Sequence, residues 1–62
     1  MTKRQVINSE VKRLKGLSLS LPITRAEALT LISVTVWTCR QFTEVDILGI
    51  IREVTIKVNH LS

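Results

Sequence analysis

Apolar residues recur at helical spacing in three stretches of the chain. In residues 3–15, KRQVINSEVKRLK, Val6, Ile7, Val11 and Leu14 fall in one arc when positions are stepped by about 100°. Glu10 shares that arc, and Arg4, Gln5, Asn8, Ser9, Lys12, Arg13 and Lys15 take the remainder. Gly16 follows where a C-terminal cap belongs. The pattern predicts an amphipathic helix over 3–15. Residues 17–22, LSLSLP, then alternate leucine with serine, and Pro22 disfavours helix at Leu21. An extended linker is expected there, with its leucines packed on the core.

The next stretch carries two periods at once. Thr24 and Glu27 fit a capping box, in which each side chain satisfies the other residue's free backbone N–H. Stepped helically, Ala28, Leu29, Leu31, Ile32, Val36, Cys39 and Phe42 gather on one side, with Thr35 among them. Val34 and Trp37 fall on the polar side. A strand suits Ile32, Val34 and Val36, and β-branched propensity favours it, but it leaves Leu31 and Trp37 on the wrong face. Only a helix accounts for the whole stretch, so a helix is expected over 24–41.

Thr43 is a good N-cap for a third helix, and Glu44 and Asp46 suit the positive end of its dipole. Ile47, Ile50, Ile51, Val54, Val58 and Leu61 form one stripe, with Asp46, Glu53, Lys57 and His60 opposite. Val45 and Ile56 share a narrow second stripe with Gly49, where a glycine would let another backbone approach. Its plainer reading is a tolerated weak point, about 1 kcal/mol worse than alanine. The expected fold is therefore all-α. Three amphipathic helices span about 3–15, 24–41 and 44–59, the last two forming an αα-hairpin, in one domain over 1–62. The alternative is α+β, with strands near 17–21, 30–38 and 53–58. Ile32, Val36, Ile47, Ile51 and Val54 are the expected core.

Size sharpens this picture. A chain of 62 residues buries only about 60% of its unfolded surface and is marginal alone. Cys39 is the one cysteine and His60 the one histidine, so neither an internal disulfide nor a Cys/His metal site can staple the fold. With 45% hydrophobic residues, a homodimer is expected instead. No apolar run approaches the roughly 18 residues of a membrane span, and the start lacks the apolar stretch of a secretory signal. A cytoplasmic location away from membranes is expected.

Charge is placed unevenly. Lys3, Arg4, Lys12, Arg13 and Lys15 face only Glu10 in the first sixteen residues, which therefore hold the whole net charge of +4. Beyond them Arg25, Arg40, Arg52 and Lys57 balance Glu27, Glu44, Asp46 and Glu53. A cationic helix face attracts nucleic acid or an acidic protein, or simply stays solvated. For DNA, the acidic start of the third helix would repel phosphate, so contacts would come from Arg4, Lys12, Arg13 and Lys15. For RNA, Trp37 and Phe42 are the only aromatics available for base stacking.

Catalytic chemistry is not expected. Catalysis needs a base, nucleophile or metal in a cleft. His60 reads as a surface residue near a chain end, and Cys39 as a small core residue. No cofactor or metal is expected. The expected function is that of a small, non-enzymatic regulatory protein that binds and modulates a larger macromolecule. Its interface candidates are the misplaced apolar residues Val34, Trp37, Val45 and Ile56, with Gly49 between the last two. The alternative is a basic DNA-binding transcriptional regulator that uses the first helix.

Overall fold

The computed structural model describes residues 2–60 and has four helices among them: α1 (Lys3–Lys15), α2 (Arg25–Leu31), α3 (Val34–Thr38) and α4 (Glu44–His60). No strand occurs among the described residues, so the α+β alternative does not hold. Leu61, expected on the apolar stripe of the last helix, lies outside them.

Three of the helices open on a threonine that exchanges bonds with the residue three positions on. The Thr24 hydroxyl accepts the Glu27 N–H at 3.1 Å, and Glu27 Oε1 accepts the Thr24 N–H at 3.1 Å. Thr43 and Asp46 do the same for α4, at 3.2 and 3.0 Å. Thr2 and Gln5 do so for α1, at 3.2 and 2.9 Å. Each pair satisfies backbone donors that a helix start leaves unpaired. At the other end of α1, Gly16 caps the helix while staying right-handed, with φ −76°. The freedom of glycine is not used there.

The single helix expected over 24–41 is broken. Ile32 and Ser33 are extended, with ψ 137° and 140°, and divide it into α2 and α3. In an unbroken helix the Ser33 N–H would bond the Leu29 carbonyl, and the Leu31 carbonyl would accept the Thr35 N–H. Other partners take these groups. Glu10 Oε1 accepts the Ser33 N–H at 2.7 Å. Arg13 donates to the Leu31 carbonyl and also, at 3.1 Å, to Glu10 Oε2. The Ser33 hydroxyl accepts the Thr35 N–H at 3.2 Å and caps α3. Of the β-branched residues that argue for a strand, Ile32 is extended in the break, whereas Val34 and Val36 are helical in α3.

One core joins the helices. Val6, Val11 and Leu14 of α1 and Ala28 of α2 pack with Ile47, Ile50, Ile51, Val54 and Val58 of α4. Ile23, Ile32 and Val36 complete it. All five expected core residues are buried. Thr35, expected on the apolar side of the long helix, is exposed, because the break ends the register that placed it there; Leu29, which was expected on the same side and precedes the break, is also exposed. α1 lies alongside α4 in the same sense: Lys3 reaches Asp46 at 2.9 Å, and Leu14 lines a pocket with Val58. The start of α2 is tied to the end of α4, where the Asn59 amide accepts from Ile23 N and donates to Ile23 O, both at 2.8 Å. Leu19 of the linker packs on the core, whereas Leu17 and Leu21 stay exposed.

Candidate interaction surfaces

α4 presents two faces. Ile47, Ile50, Ile51, Val54 and Val58 point into the core. On the opposite side Val45, Leu48 and Ile56 are 77%, 58% and 51% exposed. Gly49 and Arg52 complete that outer stripe at helical spacing. The open space over Gly49 is clear: a Cβ there would meet nothing within 4 Å. The close approach of another backbone expected at this glycine is therefore not made among the described residues.

A groove flanks each side of the outer stripe. One, of about 350 Å³, lies between α2 and α4 and is lined by Arg25, Ala26, Leu29, Leu48 and Ile51. The other, of about 360 Å³, lies between α1 and α4 and is lined by Asn8, Val11, Ile56, Lys57 and His60. The structure thus brings Ile56 beside α1 and sets Leu48 against Leu29. Val34 and Trp37 line neither groove. They form an exposed apolar pair on α3, a helix without a charged residue, and Trp37 keeps 43% of its surface in solvent. The linker leucines gather around Leu14 and Val58.

Leu48, Leu29 and Arg25 were not legible as surface candidates. Leu48 sits one turn beyond Val45, so the same stripe could have revealed it.

The basic residues divide in role. Arg13 is engaged with Glu10 and the Leu31 carbonyl, and Lys3 with Asp46. Arg13 is thereby held at the helix break, while its side chain stays 43% exposed. Outside these two ion pairs, the described residues carry Arg4, Lys12, Lys15, Arg25, Arg40, Arg52 and Lys57 against Glu27, Glu44 and Glu53. Arg4, Lys12 and Lys15 are exposed and lie one or two turns from Asn8, which lines the α1–α4 groove. That groove therefore has cations on both sides, with Lys57 on α4. Thr43 and Lys3 both hydrogen-bond to the Asp46 carboxylate, and they hold its pKa below the usual aspartate value.

A third hollow, of about 270 Å³, surrounds the helix break and is lined by Glu10, Arg13, Ser33, Val36, Cys39 and Phe42, among others. Both Glu10 oxygens there are occupied by protein donors. Cys39 is half-buried in its wall. His60 lies in the α1–α4 groove instead, so the hollow does not bring the thiol and the imidazole together. No group of three or more His, Cys, Asp or Glu residues able to hold a metal occurs among the described residues. No helix among them is long and apolar enough to cross a membrane.

Comparison with protein-family models, curated proteins and solved structures gives no match to this chain.

Proposed function

We propose that this protein is a small, non-enzymatic interaction module that binds and modulates a larger macromolecule through the outer face of α4. The observation that carries this reading is the alignment of Val45, Leu48 and Ile56, all more than half exposed, on a helix whose other side is already filled by the core. An apolar stripe of that kind, set between two grooves and rimmed by polar residues, is what a docking surface looks like. In this reading α2 and α4 act as a helical hairpin that holds Leu29 and Leu48 side by side.

The reading is tested by replacing Leu48 and Ile56 together with Lys. Capture of a partner from a cell extract should be lost while the helical circular dichroism spectrum is kept. Unchanged capture would show that the face is not used.

A homodimer remains the second reading, and Val34 and Trp37 favour it. This uncharged pair could meet its own copy without like-charge repulsion. Light scattering of the Trp37→Ala variant, compared with the parent, tests it. DNA binding by Arg4, Lys12, Arg13 and Lys15 is supported only by their exposure on one helix. A band shift with duplex DNA that weakens steeply with salt would favour it.

A further inference from the structure

The interaction reading leaves the chemistry of the partner open, and three observations narrow it. The first is shape. The outer stripe runs from Val45 to Ile56, about 16 Å along the helix, or roughly three turns. With a groove on either side, it can take a second helix packed along α4, its apolar side chains entering at Leu48 and at Ile56. Gly49 adds a dip with open space above it.

The second observation is charge. Arg25 stands in one groove and Lys57 in the other, Arg52 lies on the stripe, and α1 presents Arg4, Lys12 and Lys15 along the Asn8 side. Against them, Glu44 and Glu53 are the exposed carboxylates of α4. An apolar centre with a cationic rim is complementary to a helix that is apolar on one side and acidic on its flanks.

The third is what the face disfavours. Duplex DNA presents a charged phosphate backbone with little apolar surface to cover a stripe roughly three turns long. A second copy docked here would bring the cationic rims together.

We infer that the outer face of α4, with the neighbouring flank of α1, receives an acidic amphipathic helix of a protein partner. This rests on the interaction-module reading and adds the class of partner to it.

The probe is a fluorescently labelled synthetic helix with leucines at i, i+3, i+4 and i+7 and glutamates elsewhere. Its control is a twin with lysines in place of the glutamates. Anisotropy titrations should show the acidic peptide binding the full chain at least about tenfold more tightly than the lysine twin, a difference that salt reduces. Lys12→Glu with Lys15→Glu should weaken the acidic peptide and leave the fold intact, because both side chains are exposed. Ile56→Lys should abolish binding.

Equal affinity for the two peptides would overturn the inference, as would indifference to Ile56→Lys. Binding of duplex DNA or of phosphatidylserine vesicles without binding of the acidic peptide would overturn it in favour of those ligands. If neither peptide binds, yet Leu48→Lys with Ile56→Lys still abolishes capture from extract, the acidic helix is wrong and the interaction module stands.

Discussion

Glu10 accepts the backbone N–H of Ser33 at 2.7 Å across 23 positions of sequence. With Arg13 on the Leu31 carbonyl, it replaces the helical partners that the chain loses where α2 gives way to α3. The contact also accounts for a carboxylate that is only 5% exposed. Removing it strands a backbone donor and leaves the Arg13 guanidinium without its counter-charge. Glu10→Leu is expected to destabilise the protein by about 1.5–3 kcal/mol. Glu10→Gln, which retains an acceptor for Ser33, should cost less. Urea unfolding of the two variants checks the order, and equal midpoints would show that the bond to Ser33 contributes nothing.

The core rests on α4. Ile51 is buried at 3% exposure among residues of α1 and α2. Ile51→Ala should cost roughly 2–5 kcal/mol, measured as a lower denaturant midpoint. A midpoint unchanged within error would mean that this stripe is not packed.

Gly49 separates folding from docking. A Cβ at this position meets no atom within 4 Å, so alanine fits the isolated chain without strain. Gly49→Ala should raise stability by about 1 kcal/mol through better helix propensity. Thermal or urea unfolding reads the change. A loss of stability would mean that the space over Gly49 is not open.

Asp46 gives the fold an acid limb. Its carboxylate is held below its ordinary pKa, first by the Thr43 backbone N–H, then by the Lys3 ammonium and the Thr43 hydroxyl. A group with a depressed folded pKa adds stability above its unfolded pKa, and that stability is lost as pH falls through the lower folded value. Asp46→Asn should therefore lower stability at neutral pH. It should also flatten the fall in stability below about pH 4, the ordinary range of aspartate. Unfolding midpoints across that range check it.

Much of this fold was legible because its signals are local. The 3.6-residue stripes of α1 and α4, the cap at Thr24 and the cap at Thr43 depend only on neighbours in sequence, and these elements lie where the pattern put them. The box of Thr2 and Gln5 is equally local. The break at Ile32–Ser33 was not legible. It depends on Glu10 and Arg13, which meet it only after α1 has packed. The clue was indirect: Glu10 lay on the apolar arc of α1, and a buried carboxylate needs partners. Ile23 and Asn59 were missed for the same reason, since their paired bonds join residues 36 positions apart. For the surface, the stripe of Val45, Gly49 and Ile56 was visible in sequence. The grooves beside it came only with the packing of α1 and α2.

The central claim, that the outer face of α4 is where a partner docks, is tested most directly by site-specific photo-crosslinking. A photoreactive amino acid is placed at position 48, at position 56, or at the exposed position 18 of the linker, and the protein is irradiated in cells. Positions 48 and 56 are expected to yield the same discrete adduct, heavier than two copies of the chain or distinct from it in composition by mass spectrometry, while position 18 yields none. Absence of an adduct from 48 and 56, or an adduct pattern shared with position 18, would contradict the account.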